Sequence, residues 1–548
     1  MHQRPLIHQI TANDIGGWAQ TVRTRPLVLT DRLRIFRHAG RDYAHASAVP
    51  LSYLATNPAL FAALQQFAQP ARAVEVMGDN LNPRVAEFLA TLLNVGILQD
   101  AANPDPVHSL RPRTQAIATL MLYPTNSCNL RCVYCYATSG PGAGPRLSRE
   151  HALLAVADFF HTLNPNVRKV ALRFHGGGEP TTNFAVMRAA WEEFRSQAQE
   201  RGLSASAHTI TNGTFGPGVL HTLRQPGWSV LVSYDGPRQS VQRPTAASRD
   251  SRARVRANLR ALSASGKQVT VRATLTREGL PSLRELIDDA AELGVSRVQV
   301  EAASIVGRGA NLLDGPPTPL AFAEAFLAEF RYALSVGVAL HTSAWSHTRV
   351  GDGRYCGAIT GMRALTPDGF VSACTEACDG ALADDPFIVG RLDTERQRLE
   401  IWPVREDALG QRVGYHLPHC ASCYMVDTCG GGCASKSRAA TGDFRHRDEQ
   451  HCVASRRINA ELMADLADGR LLPDAGWQPI VAELSAEASE PTGYAGRLVA
   501  LVPPFARSRW NATATRRPWL PATPADPTFF HLPSAVTSEP TLPSAAGS

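Results

Sequence analysis

Asn126-Ser127-Cys128-Asn129-Leu130-Arg131-Cys132-Val133-Tyr134-Cys135-Tyr136 comes just after the apolar run 117–123 and carries three cysteines at Cys-x3-Cys-x2-Cys spacing. A strand ending in such a loop can bring three thiolates to one point. Three soft sulfur ligands suit an iron–sulfur cluster, which normally takes four, so one iron is left open to bind something else. Zinc is the competing reading. It asks for four ligands in paired spacings, and no fourth Cys or His lies near in sequence.

The 548 residues suffice for roughly two to four domains, and 44% apolar with 19% charged residues describes an ordinary globular chain over most of its length. No secretory signal follows Met1, and no run is long enough to span a membrane, so the expectation is a cytoplasmic protein. Eleven cysteines in such a chain favour metal or redox use over disulfides. The net charge of +6 is modest, with lysine only at 169, 267 and 436. The Arg-rich stretch 249–256 reads as the solvated face of a helix, and no nucleic-acid partner is expected.

Outward from the cysteine loop, β-branched apolar runs recur at 117–123, 167–174, 206–210, 229–233, 269–274 and 298–300. Helical patterns lie between most of them, at 148–163, 184–201, 252–265 and 283–293. The alternation predicts an α/β fold, a partial (β/α)6 barrel over 115–340 with chemistry at the C-terminal strand ends. Residues 1–100 read as a small domain: a hairpin, 33–37 and 43–48, then helical patterns at 58–67 and 83–98. Residues 101–114 form a linker. Beyond a last helix at 454–466, residues 467–548 are expected to be a largely disordered Pro/Ala-rich tail, most clearly from 503 onward.

The strand ends carry polar motifs. The second run ends in His175-Gly176-Gly177-Gly178-Glu179-Pro180, the third in Thr211-Asn212-Gly213, the fourth in Ser233-Tyr234-Asp235-Gly236-Pro237. With the cysteine loop, this set resembles the radical S-adenosylmethionine (SAM) superfamily. There a [4Fe-4S] cluster held by the positions of Cys128, Cys132 and Cys135 chelates SAM at its open iron. The resemblance implies that Gly177, Gly178 and Glu179 meet the SAM amino group, that Asn212 and Ser233 meet its ribose or carboxylate, and that Tyr134 lies near adenine. Arg272 and Glu301 are further candidate polar contacts. Arg243 matches an Arg that follows the Asp-Gly-Pro turn in peptide-modifying members. The N-terminal order of elements likewise resembles the winged-helix module that captures a leader peptide as an added strand.

The other eight cysteines are Cys356, Cys374, Cys378, then Cys420-x2-Cys423-x5-Cys429-x3-Cys433, and Cys452. This order resembles the seven-cysteine SPASM domain, assigned here to 341–466, with Cys378 as an extra. Eight thiolates saturate two four-iron clusters. By analogy Cys420, Cys423, Cys429 and Cys452 hold a distal auxiliary [4Fe-4S] cluster. Cys356, Cys374 and Cys433 hold the near one, with Cys378 as candidate fourth ligand. Two structural zinc sites are the alternative. Sulfatase-maturing relatives place a basic Asp directly after the second of these cysteines. Here Thr375 stands there, followed by Glu376 with Asp379 nearby, so these two acids, with Arg243, are the candidate catalytic groups and sulfatase maturation is disfavoured.

The expected activity is that of a radical SAM/SPASM peptide maturase. It cleaves SAM to a 5′-deoxyadenosyl radical, abstracts hydrogen from a ribosomally made precursor peptide and installs a C–C, C–O or C–S crosslink, as in maturases of the cyclophane and His-Xaa-Ser types. Its expected partners are that peptide and an electron donor such as flavodoxin or ferredoxin. Formylglycine formation, epimerisation and decarboxylation are the alternatives within the family. An electron carrier without SAM chemistry would not need the polar set at the strand ends.

Overall fold

A computed structural model describes residues 20–30, 33–46, 51–102, 118–142, 144–247, 250–345, 353–378, 384–471, 478–484 and 494–502. The N-terminal part holds β1 (Pro26–Leu29), β2 (Leu33–His38), β3 (Arg41–Ala46), β4 (Leu51–Thr56), β5 (Ala71–Arg72) and β6 (Leu98–Asp100). Strands β2 and β3 form the expected hairpin through Ala39 and Gly40, both at positive φ (48° and 77°), as a two-residue turn with right-handed twist requires. The helices Pro58–Gln66 and Pro83–Asn94 each start with Pro behind an Asn cap. Asn57 Oδ1 accepts Leu60 N–H at 2.9 Å and Asn82 Oδ1 accepts Val85 N–H at 3.0 Å.

The barrel strands are β7 (Ala118–Leu122), β8 (Lys169–Phe174), β9 (Ser204–Thr211), β10 (Trp228–Ser233), β11 (Val269–Leu275) and β12 (Arg297–Ala302). They pair in parallel and in sequence order, each within a few residues of its expected run. A short seventh parallel strand, β13 (Ala339–His341), extends the expected six on the β12 side. The sheet also continues on the other side of β7. There β14 (Ala364–Leu365) pairs with β7 in parallel, and β15 (Phe370–Ser372), β16 (Ile388–Asp393) and β17 (Arg398–Ile401) follow antiparallel. The cysteine-rich region is thereby hydrogen-bonded to the edge of the barrel.

The range 467–548 is not all tail. Strands β18 (Gln478–Leu484) and β19 (Gly496–Val502) return to the N-terminal sheet, whose order is β18-β19-β4-β3-β2. Leu498 and Ala500 pack on the N-terminal helices, and Val499 joins the main core through the opposite face. That opposite face, with Phe36, Tyr43 and Tyr53, shares a core with the helix Glu449–Ala467. Phe36 stacks on Tyr424 at 4.9 Å. The expected tail from 503 onward, most of the linker and Asp379 lie outside the described residues. Within the Arg-rich stretch, Arg252 and Arg256 pair with Asp289, and Arg256 also with Glu292, across two neighbouring helices. Among the described residues no helix is long and apolar enough to cross a membrane.

Candidate active site at the strand ends

The cysteine loop leaves β7 and is held by backbone on several sides. Arg131 N–H donates to Pro244 O at 2.8 Å and Val133 N–H to Gln242 O at 2.9 Å, while Cys128 N–H donates to Gly140 O at 3.1 Å. The glycine run after β8 lies directly against it. Gly178 N–H donates to Thr125 O at 3.1 Å, and a Cβ on Gly178 would stand 2.1 Å from Ser127 O, so only glycine permits this approach. Cys132 and Cys135 act electrostatically on the Cys128 thiol, and Cys135 on that of Cys132. Burial pushes Cys128 up to about 12, with Glu179 adding to it, and Cys132 up to about 11 despite the nearby Arg243. Metal ligation releases these protons.

Glu179 is 2% exposed, and its carboxylate is occupied by the chain. Oε1 accepts from Thr181 N at 3.1 Å, Thr181 Oγ1 at 2.6 Å and Thr211 Oγ1 at 2.6 Å, and Oε2 accepts from Asn212 N at 2.6 Å. Burial raises its pKa despite these bonds. Here it locks the end of β8 to the end of β9. Asn212 is fixed in turn: Nδ2 donates to Asn129 Oδ1 at 2.7 Å and lies 3.9 Å from Cys128 Sγ.

Tyr134 and Arg243 meet behind the loop. The tyrosine hydroxyl donates to Asp235, Arg243 Nε donates to Asp235 Oδ2 at 3.1 Å, and the guanidinium lies 5.3 Å from the Tyr134 ring centre. Arg243 Nη1 is 3.9 Å from Cys132 Sγ. Burial works against the charge of Arg243, and Asp235 outweighs it, so its pKa is raised. The structure thus gives this expected catalytic Arg a place against a cluster thiol. Asp235 and Arg308 were missed as site residues. Arg308 donates to Cys132 O at 2.8 Å and Ser139 O at 3.0 Å. The available signal was Gly307-Arg308-Gly309, since a Cβ on Gly307 would lie 2.2 Å from Tyr136 O.

Ser233, Arg272, Gln299 and His341 share one level across β10 to β13. Glu301, one pleat further along β12, accepts from Ser343 N at 2.9 Å and Ser343 Oγ at 2.6 Å. Burial pushes the Glu301 carboxyl up, but Arg272 and Lys436 more than offset this and hold it below its ordinary value. Lys436 comes from the cysteine-rich region, so that region approaches the end of β12.

The cysteines of that region fall into two groups. Cys420, Cys423, Cys429 and Cys452 line one small cavity with His419 and Arg447. Cys356, Cys374 and Cys433 influence one another electrostatically, and burial raises the Cys374 and Cys433 thiols. Backbone N–H groups point at several sulfurs: Leu130 at Cys128 (3.5 Å), Met425 at Cys423 (3.4 Å), Gly431 at Cys429 and Lys436 at Cys433. Such donors stabilise thiolate and sulfide charge, and the two groups therefore fit iron–sulfur clusters. Among the described residues no three His, Cys, Asp or Glu side chains converge closely enough for a single metal ion.

Cys378 lies against the cysteine loop and the glycine run. Its backbone O accepts from Asn126 Nδ2 at 2.8 Å, and a Cβ on Gly177 would meet its Sγ at 2.6 Å. It packs with Met121, Tyr123 and Ala364. Arg412, also missed, is 2% exposed and organises Gly430-Gly431-Gly432, all at positive φ. Its guanidinium donates to the carbonyls of all three glycines and of Phe444 and His446.

Residues 122–290 match the model of the Radical SAM superfamily. The chain thus carries a radical SAM domain and is an enzyme, with a mixed α/β barrel and a C-terminal cysteine-rich region consistent with a SPASM domain. Curated relatives include the radical SAM cyclopropyl synthase TigE of Paramaledivibacter caminithermalis, 21% identical over 62% of this chain and 72% of that protein. The mycofactocin maturase MftC of Mycolicibacterium smegmatis is 25% identical over 56% of this chain and 76% of its own length. Among solved structures, native anSMEcpe with bound AdoMet superposes with a TM-score of 0.53 at 16% identity, covering 65% of this chain and 100% of that one.

Proposed function

We propose that the chain is a peptide maturase that installs a crosslink in a ribosomally made precursor. The bound cluster and SAM would supply a 5′-deoxyadenosyl radical able to abstract hydrogen from an unactivated C–H bond. The observation that carries this reading is the convergence at one end of the barrel. The cysteine loop, the Gly177-Gly178 cradle and Asn212 come together at the ends of β7, β8 and β9. Lys436, from the cysteine-rich region, acts on Glu301 at the end of β12.

The chain's residues divide the work. Gly178 and Glu179 set the loop against β9, Asn212 and Ser233 offer polar groups beside the cluster position, and Arg243 and Arg308 offset thiolate charge. Forming a crosslink removes two hydrogens from the peptide. One leaves with the deoxyadenosyl group, the other as a proton, and the remaining electron needs an acceptor. An auxiliary cluster at Cys356, Cys374 and Cys433 supports that step, and the distal cavity at Cys420–Cys452 supports onward transfer to a flavodoxin or ferredoxin. The β2 and β18 edges of the N-terminal sheet support capture of a leader segment by strand addition.

Anaerobic incubation of the reconstituted enzyme, SAM and reductant with a precursor encoded beside it tests the proposal. Deoxyadenosine formation with a peptide lighter by two hydrogens is expected. An unchanged peptide mass with a new stereocentre, or loss of carbon dioxide, would replace the crosslink by epimerisation or decarboxylation. Failure to cleave SAM would overturn the reading altogether.

A further inference from the structure

Between Cys374 and Cys378 the chain places one carboxylate whose position is unexplained. Glu376 Oε2 is buried and has no hydrogen-bond partner. The Glu376 backbone N–H donates to Cys374 Sγ. Its carboxylate acts electrostatically on the thiols of Cys374 and Cys433, in each case more strongly than any other charged neighbour. Lys436 also feels it, yet no ion pair joins the two among the described residues. A buried carboxylate oxygen without a hydrogen bond is unfavourable. Such an atom asks for a positive partner.

The three thiols beside it ask for the converse. Cys356, Cys374 and Cys433 are one donor short of the four that a four-iron cluster takes. Cys378, the sulfur expected to fill the place, is packed instead against Gly177, Asn126 and Tyr123 on the side of the SAM loop. Tyr123 feels both Cys374 and Cys378, and Tyr136 feels Cys378 and more weakly Glu376, while the charges acting most strongly on Cys374 are Glu376, Cys433 and Cys356. Carboxylate is an accepted donor to iron.

We propose that Glu376, through Oε2, is the fourth ligand of the near auxiliary cluster, completing a three-cysteine, one-glutamate site. This rests on reading Cys356, Cys374 and Cys433 as cluster ligands. It removes Glu376 from the candidate general bases and leaves no open iron on that cluster.

The test uses the full chain carrying C128A/C132A/C135A, which leaves only the auxiliary sites, reconstituted anaerobically with 57Fe and sulfide. Mössbauer spectra should show one iron with the larger isomer shift of oxygen ligation. E376C should abolish that feature, retain the cluster and lower its potential. E376A should either bind cyanide, seen as a shifted EPR signal of the reduced cluster, or lose about four irons per chain. C378S should change none of these. The proposal is overturned if C378S removes the cluster or its oxygen-ligated feature, if E376A matches the unsubstituted protein, if that protein itself binds cyanide, or if E376C loses the cluster with E376A. SAM cleavage and peptide mass are read separately with the SAM loop intact, so a wrong peptide reaction leaves the ligand result standing. Absence of any auxiliary cluster overturns both.

Discussion

The Glu179 carboxylate accepts the backbone N–H of Asn212 at 2.6 Å, tying the glycine run that follows β8 to the end of β9. Three further donors converge on the other oxygen. Glu179→Ala leaves four donors without their acceptor, and a net loss of about 3 kcal/mol is expected from buried unsatisfied groups. SAM affinity should fall with it, because Asn212 loses its anchor. Thermal unfolding and SAM titration check this, and a variant as stable as the parent would refute the locking role.

Arg243 and Asp235 form a buried ion pair beside Cys132. R243M leaves Asp235 uncompensated, a loss of about 3–5 kcal/mol. D235N/R243M should recover part of it. Removing a cation next to a cluster thiolate disfavours the reduced, more negative cluster, so R243M should show a lower reduction potential by spectroelectrochemistry, and D235N/R243M, which removes the neighbouring anion as well, a smaller drop. An unchanged potential would mean that Arg243 acts only through packing.

Arg412 spends its donors on five carbonyls between and beyond the cysteines. Lysine cannot reproduce that planar fork. R412K should therefore lower iron content at the auxiliary sites and the unfolding midpoint, at about 1 kcal/mol or more per abandoned carbonyl. Full iron loading of R412K would show that the triglycine loop holds its shape unaided.

His45 is fully buried, stacked on Tyr53 at 5.0 Å with Nδ1 3.3 Å from Ser52 O. Burial lowers its pKa from 6.5 to about 4. The unfolded chain then binds more protons than the folded one between these values. Stability is full above 6.5 and declines as the pH falls toward 4, by about 3 kcal/mol. H45F should flatten this slope in unfolding curves over pH 7 to 4. An identical slope would assign the acid sensitivity to other groups.

The cysteine spacings, the six strand runs and the motifs at their ends are local in sequence. Each strand announces itself by β-branched apolar residues, and each strand-end motif by its position just after one. The superfamily and barrel were therefore readable from the chain. The cluster loop offered three thiolates and a vacancy, and its neighbours in sequence named the element that flanks it.

What only the tertiary structure decided are pairings between distant residues. Strands β18 and β19 sit among residues whose composition suggests a tail, and they are strands because β4 offers them an edge more than four hundred residues away in the chain. The partners of Arg412 are carbonyls, which every residue carries, so no sequence signal marks them. Cys378 and Glu376 are two residues apart, yet Cys378 packs against the Gly177 cradle while the Glu376 charge acts on the thiols of Cys374 and Cys433. Sequence spacing treats both as available to either site, and only the packed backbone separates them.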